Sequence, residues 1–136
     1  MVEHVPPRKV LEALQSNPQA ELVDVRTEPE WSFVGIPDLA RTGKRLVMIP
    51  WQIYPDMRRN NDFVQHLQEA GLTPEHHIYF LCRSGQRSLA AAQAAQGAGF
   101  LHAYNVADGF EGALDGAGHR GVAAGWKAEG LPWRQS

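Results

Sequence analysis

The sequence predicts an α/β protein with a mainly parallel central sheet and helices on both faces. Segments with strand-like patterns alternate with segments with helix-like patterns along the whole chain, which is typical of strands joined by crossover helices. The length of 136 residues, with 43% hydrophobic and 21% charged residues, is that of one soluble globular domain with a core of its own. We therefore expect a single domain over residues 1–136.

The first predicted elements are a helix, a strand and a second helix. The first helix lies between Pro6-Pro7 and Asn17-Pro18, with apolar residues at helical spacing between them. Glu21–Val25 is the first core strand. Thr27 then caps a short helix, and Glu30 lies three residues further on, as in a capping box.

The middle of the chain repeats this alternation. Arg45–Pro50 is a short apolar run bounded by turn residues, and it predicts a second strand. Asn61 or Asp62 caps a helix that continues to Ala70 and ends at Gly71. The run Ile78–Leu81 is the clearest strand of the chain.

The last part begins with an alanine-rich segment, Ser88–Gln96, which predicts the third main helix. Ala103–Val106 is predicted as a fourth strand and Gly109–Leu114 as a short helix. A glycine-rich surface loop follows and leads into a final helical turn around residues 125–129.

The single cysteine, Cys82, directly follows the strand Ile78–Leu81, at the sheet edge where α/β proteins bind ligands. The turn with Gly85 can aim backbone N–H groups inward, and the next helix directs its positive dipole end to the same point. Arg83 and Arg87 add two permanent positive charges. We expect these features to hold Cys82 as a thiolate near neutral pH and to attract an anionic substrate.

The spacing within this loop bears on the substrate. Arg87 follows Cys82 after four intervening residues, and Ser88 comes next. A ring of N–H groups around a thiolate suits a phosphatase or a sulfurtransferase. Protein tyrosine and dual-specificity phosphatases have five intervening residues, which leaves room for a phosphate, whereas a shorter ring better fits one extra sulfur atom.

The chain resembles the rhodanese-like sulfurtransferases over most of its length, from about Val5 to Trp133. The most specific match is Cys82–Ser88, which is similar to the active-site loop of bacterial rhodaneses. The weaker matches follow in the order expected for that family: Leu22–Arg26 with Glu30-Trp31, Asn105-Val106 with Asp108–Phe110, and Gly125-Trp126 with Gly130–Trp133. One departure is the family's Gly-His-Ile-Pro-Gly-Ala element, which is reduced here to Gly35–Asp38.

The resemblance implies a rhodanese-like fold and thiosulfate sulfurtransferase chemistry. Cys82 would attack the outer sulfur of a small anionic donor, thiosulfate or a persulfide, and would then carry that sulfur as a persulfide. An external thiol or protein would accept the sulfur, because the chain has no second cysteine. No metal or organic cofactor is implied. The anion-binding residues would be those of the loop: Arg83, Ser84, Gly85, Gln86, Arg87 and Ser88.

Some of these residues also have a structural interpretation. Arg87 is either an anion ligand or a residue at the start of a helix that pairs with a carboxylate. Ser88 is predicted to be structural rather than catalytic. Asp24 and Arg26, just after the first strand, are predicted to form an ion pair or hydrogen bonds that support the site.

Composition excludes several other functions. A net charge of −2 argues against a nucleic-acid-binding protein, and no apolar run approaches the ~18 residues of a membrane span. The N-terminus has no signal-peptide pattern, so we expect a cytoplasmic protein. Two alternatives remain open: a small cysteine-dependent phosphatase or arsenate reductase, and a non-enzymatic rhodanese-like interaction module.

Overall fold

A parallel sheet of five strands runs through the centre of the computed structural model, which describes residues 2–135. In chain order the elements are β1 (Glu3–Val5), α1 (Pro7–Ser16), β2 (Ala20–Asp24), α2 (Glu28–Phe33), β3 (Ile36–Pro37), a 3-10 turn (Ala40–Thr42), β4 (Leu46–Met48), β5 (Gln52–Ile53), β6 (Arg58–Arg59), α3 (Phe63–Glu69), β7 (His77–Leu81), α4 (Gln86–Gly97), β8 (Ala103–Val106) and β9 (Trp133–Arg134).

The strand order in the central sheet is β1-β8-β7-β2-β4, with every neighbouring pair parallel. The two short antiparallel pairs, β3 with β9 and β5 with β6, lie outside this sheet. Because the five strands are parallel, their carboxyl ends share one edge, and β2 and β7 end side by side with Asp24 opposite Leu81. The residues that follow these two strands are therefore neighbours.

Two apolar cores cover the two faces of the sheet. Successive residues of a strand point to opposite faces, so Phe80 belongs to one core and Leu81 to the other. The first core takes its helical residues from α3 and α4. The second core takes them from α1 and also contains Phe110, Trp126 and Leu131 from the C-terminal part of the chain. The prediction of a parallel sheet with helices on both faces is confirmed.

Most of the predicted elements are present, with ends shifted by one or two residues. The capping box at the start of α2 is also present, with Thr27 and Glu30 as its partners. No pattern in the sequence predicts β1, which is three residues long and mostly exposed. The same holds for the two short antiparallel pairs.

The short helix predicted over Gly109–Leu114 is wrong. These residues form turns, because Gly109 has φ of +62° and Gly112 has φ of +72°, values that do not occur inside a right-handed helix. In place of the predicted final helical turn around residues 125–129, the chain forms isolated turns. One of them is closed by a hydrogen bond of 3.0 Å from Glu129 N to Gly125 O.

Within residues 2–135, no helix combines the length and the apolar character needed to cross a membrane.

Candidate active site

Cys82 lies at the carboxyl end of β7, with only 1% of its surface exposed. Two groups of the following loop approach its sulfur. The backbone N–H of Gly85 donates to Sγ over 3.1 Å, and the Ser88 Oγ lies 3.2 Å from Sγ. This return of the chain depends on Gly85, whose φ of +113° lies in a region open to glycine and costly for other residues.

The first carbonyl groups of the loop are hydrogen-bonded to the segment after β8. The N–H of Phe110 donates to Cys82 O over 2.8 Å, and the N–H of Glu111 donates to Arg83 O over 2.9 Å. This close approach requires Gly109, because a Cβ at that position would lie 2.5 Å from Cys82 O. The segment therefore fixes the orientation of the peptide groups on which the loop is built.

Apart from that of Gly85, the backbone N–H groups of the loop after Cys82 have no protein partner within residues 2–135. Among the described residues, the backbone N–H groups of residues 83, 84, 86, 87 and 88 donate no hydrogen bond to protein atoms. Three of them belong to the first turn of α4, whose N–H groups have no partner within a helix and carry its positive dipole end. The loop that begins at Cys82 thus offers several unpaired donors, which suits a bound anion.

Arg87 points into an ion pair rather than into free space. Its Nη1 and Nη2 donate to the two carboxylate oxygens of Glu30 over 2.7 and 2.9 Å. Both side chains are about four-fifths buried, at 19% and 20% exposure. Of the two interpretations of Arg87, the structure shows the pairing with a carboxylate.

Glu30 is held on both sides. Its Oε1 also accepts hydrogen bonds from the backbone N–H and the hydroxyl of Thr27, over 3.2 and 3.0 Å. Burial by itself would raise the pKa of Glu30, but the hydrogen bonds and charge of Arg87, together with the Thr27 hydrogen bonds, hold that pKa below its usual value. Burial likewise acts to lower the pKa of Arg87, and Glu30 outweighs it, so this pKa is raised.

A cleft of about 410 Å³ lies against the arginines of the loop. Arg83 is exposed and has no hydrogen bond or ion pair from its guanidinium to any described residue. Arg120 donates from Nη1 to Gly112 O over 2.7 Å. The lining thus combines three cations with two carboxylates and a few less polar groups: Glu30, Val34, Gln52, Met57, Arg83, Arg87, Glu111 and Arg120.

Behind the sulfur, Ser88 and Asn105 form a buried polar pair, with 0% and 2% exposure. The Ser88 hydroxyl lies 2.5 Å from Asn105 Oδ1, and Asn105 Nδ2 lies 3.1 Å from Gly85 O and 3.0 Å from His4 Nδ1. Asn105 is part of β8, so a central strand holds the loop from below.

Asp24 and Arg26 form a fully buried ion pair, with 2.6 Å between Asp24 Oδ2 and Arg26 Nη2. The same Nη2 donates to Gly35 O over 2.8 Å, and the guanidinium lies 4.4 Å from the centre of the Phe110 ring. Phe110 in turn holds Cys82 O through its N–H. The pair therefore lies beneath the segment that supports the loop and does not line the cleft.

Sequence reasoning missed several residues of the site. Glu30 was predicted as a capping residue and as part of a family match, but not as a site residue, although it follows the strand next to β7 and so reaches the same sheet edge. Asn105 was predicted only as part of a family match, although a polar residue inside an apolar strand indicates a buried hydrogen-bonding role. Glu111 and Arg120 come from turns and carry no such signal. Among residues 2–135, no group of three or more metal-binding side chains comes together.

Comparison with protein families finds one match that spans nearly the whole chain. The family described as STR4 middle domain matches residues 4–136. An uncharacterized protein of Rickettsia conorii is 37% identical over 138 residues, which cover 98% of this chain and 98% of that protein. A second uncharacterized protein, from Rickettsia prowazekii, is 37% identical over 134 residues with the same coverage.

Solved structures agree on the fold. Rv0390 from M. tuberculosis is 46% identical and has a TM-score of 0.86, covering 98% of this chain and 100% of that one. The polysulfide-sulfur transferase homodimer of Wolinella succinogenes is 22% identical, with a TM-score of 0.66 and coverage of 99% and 80%. A rhodanese-related protein of Thermoplasma volcanium is 18% identical, with a TM-score of 0.60 and coverage of 98% and 99%. At these low identities the last two likenesses concern the fold alone.

Proposed function

We propose, since the chain belongs to the STR4 middle domain family and has a rhodanese-like fold, that it is a sulfurtransferase with Cys82 as its sulfur carrier. The resemblance seen in the sequence is confirmed for family and fold. The observation that carries the proposal is the loop itself: a buried thiol begins a loop in which several N–H groups have no protein partner, while the first loop carbonyls are bonded elsewhere.

The chemistry needs no oxidant or reductant. The Cys82 thiolate attacks the outer sulfur of thiosulfate, a new S–S bond forms, and the old S–S bond breaks with its electron pair on the departing sulfite. The outer sulfur of the resulting persulfide carries the negative charge. A thiolate from outside the chain then attacks that outer sulfur, takes it as its own persulfide, and returns Cys82 as a thiolate.

The chain's own groups supply what this charge requires. We propose that the unpaired N–H groups of the loop and the positive end of α4 stabilise the negative charge that the reaction places at the sulfur. Arg83 is a cation at the cleft that has no carboxylate partner, so it is available for the sulfonate of the donor. The acceptor is a separate molecule, because Cys82 is the only cysteine.

The pairing of Arg87 favours sulfur transfer over phosphate chemistry. A phosphatase or arsenate reductase with this loop needs the fork of its arginine for two oxygens of the tetrahedral anion. Here both terminal nitrogens of Arg87 are bonded to Glu30. The presence of the thiol and of a charged cleft likewise favours an enzyme over a non-enzymatic interaction module.

Intact-protein mass spectrometry after exposure to thiosulfate tests the proposal. We expect the wild-type chain to gain the mass of one sulfur atom, Cys82→Ser to gain none, and cyanide or a small thiol to remove the added atom. Hydrolysis of a phosphate ester that requires Cys82, without any sulfur gain, would show a phosphatase instead. The absence of both reactions would favour the interaction module.

A further inference from the structure

A single hydroxyl hydrogen faces two acceptors behind the candidate nucleophile. The Ser88 Oγ lies 2.5 Å from Asn105 Oδ1 and 3.2 Å from Cys82 Sγ. A hydroxyl has one hydrogen to donate, so Ser88 makes one strong donation at a time. Asn105 Oδ1 and Cys82 Sγ therefore compete for that hydrogen.

The orientation of the Asn105 amide is fixed by its other contacts. Its Nδ2 lies 3.1 Å from Gly85 O, which can only accept a hydrogen bond, and 3.0 Å from His4 Nδ1. Reversing the amide would set its oxygen against the Gly85 carbonyl oxygen. The amide oxygen must therefore face Ser88 and compete with the sulfur for the hydroxyl hydrogen.

We propose that Asn105 is a positioning residue that controls, through Ser88, whether the Cys82 sulfur receives a hydroxyl hydrogen bond. When Cys82 is a thiol, Ser88 donates to Asn105 and its oxygen accepts the S–H. When Cys82 is a thiolate, the hydroxyl turns and donates to the sulfur, because a hydrogen bond to a charged acceptor is the stronger one.

Rotation of the Ser88 hydroxyl toward the sulfur costs free energy, and Asn105 determines how much. Asn105 is 2% exposed, so its Oδ1 loses the Ser88 hydrogen without access to solvent. A buried acceptor without a donor is costly, and this cost opposes formation of the thiolate. Asn105 therefore shifts the resting sulfur toward the thiol, while Ser88 favours the thiolate.

An extension to the sulfur-carrying form rests on the proposed function. In the persulfide the negative charge lies on the outer sulfur, beyond Sγ, and Sγ itself is bonded on both sides. The demand of Sγ for a hydrogen bond then falls, and the hydroxyl hydrogen returns to Asn105. The Ser88 hydrogen thus follows the charge of the inner sulfur through the reaction cycle.

Titration of the thiolate by its ultraviolet absorbance, with Cys82→Ser as the blank, tests the proposal without any assay of activity. We expect Asn105→Leu to move the midpoint of the titration to lower pH by about one unit, which corresponds to the cost of leaving one buried acceptor without a donor. Ser88→Ala should move it to higher pH. In a Ser88→Ala background, Asn105→Leu should move it no further.

Asn60 provides a matched control. It is 3% exposed, and its Nδ2 lies 3.0 Å from Pro50 O and 3.1 Å from His66 Nδ1, while its Oδ1 accepts from Asp62 N. Asn60→Leu therefore removes a similar set of buried hydrogen bonds that has no connection to the sulfur. It should destabilise the protein comparably and leave the Cys82 titration unchanged.

Two results would overturn the proposal: an unchanged midpoint in Asn105→Leu, or a shift of equal size with and without the Ser88 hydroxyl. If Asn105→Leu does not fold, Asn105→Val likewise removes the competing amide oxygen and must shift the midpoint in the same direction. Loss of the proposed sulfur transfer is a separate result, because the titration reads the bare thiol. A normal shift with no persulfide would contradict only the proposed function.

Discussion

Arg83 and Arg87 lie four positions apart in one loop, yet their guanidinium groups have different surroundings. Arg87 is bonded at both ends to Glu30, whereas Arg83 is exposed at the cleft and has no carboxylate partner among residues 2–135. A guanidinium that is already neutralised by a carboxylate attracts an anion weakly. We therefore propose that Arg83, rather than Arg87, recognises the anionic donor.

Replacing Arg83 should weaken the binding of the donor more than it slows the reaction. We expect Arg83→Gln to raise the KM for thiosulfate about tenfold, which is the effect of losing one charge-assisted hydrogen bond. The kcat should change by no more than about threefold, because the N–H groups of the loop remain. Steady-state thiosulfate:cyanide assays give both constants.

Arg41→Gln is the control for net charge, because Arg41 is exposed and does not line the cleft. Its KM should match that of the wild type. If both variants raise the KM equally, the effect of Arg83 is one of overall charge. If neither does, Arg83 does not contact the donor.

At the scale of elements, the site exists because β2 and β7 are parallel neighbours. Each is followed by a helix that starts at the same sheet edge, so α2 and α4 meet there. Glu30 of α2 and Arg87 of α4 then pair across 57 positions of sequence. The pair joins the loop that carries the thiol to the opposite wall of the cleft.

This pairing makes the tie between α2 and α4 sensitive to acid. The folded-state pKa of Glu30 is lower than its usual value of 4.5, so the pair adds stability above that pH and loses it as pH falls through the folded-state pKa. We expect Glu30→Gln, which keeps the capping interaction, to cost about 1 kcal/mol at neutral pH. The midpoint temperature of thermal unfolding should fall by about 4 °C.

The difference in stability between Glu30→Gln and the wild type should shrink as the pH falls below 4.5 and through the folded-state pKa of Glu30. The wild-type carboxyl is then protonated and, like glutamine, carries no charge. Glu28→Gln is the matched control, because Glu28 is an exposed carboxylate in the first turn of the same helix. A Glu30→Gln penalty of the same size at pH 3 and pH 7 would contradict an electrostatic tie.

The elements also mark the limit of what the sequence predicts. The strands of the main sheet and the helices that cover it have an apolar period, a cap or a terminal glycine in their sequence. These features predict most of those elements. The missed strands are two or three residues long, too short for any period, and β3 exists only because residues far along the chain pair with it. The turns at 109–114 were missed because glycine backbone angles follow from contact with the Cys82 loop.

At the scale of the molecule, the candidate site divides in the same way. Cys82 and its loop are contiguous and have a local pattern, so the sequence alone could place them at the sheet edge. The partners come from distant segments: Glu30 from α2, Asn105 from β8 and Arg120 from a late turn. Their positions follow from strand order, which the sequence indicates only as a class of fold.

Arg26 connects these distant parts through contacts that involve three segments. It bonds Asp24 at the end of β2 and Gly35 just before β3, and it packs on the ring of Phe110. All of this is buried, with Arg26 at 0% exposure. The supports of the Cys82 loop therefore depend on a charge that lies between the sheet and the C-terminal part of the chain.

Breaking this pair on one side should destabilise the whole molecule. We expect Arg26→Met to cost about 3–5 kcal/mol, because Asp24 is then left as an uncompensated buried charge. The double variant Asp24→Leu/Arg26→Met should recover much of that loss, since no charge remains to be compensated. Urea unfolding measures the free energy of unfolding of both variants.

The control is Arg8→Met, which removes an ion pair with Glu129 at 4.0 Å in which Arg8 is exposed, and which should cost less than about 1 kcal/mol. If Arg26→Met costs no more than this control, the buried pair does not hold the segments together. If the double variant is as unstable as the single one, the loss comes from packing on Phe110 rather than from the stranded carboxylate.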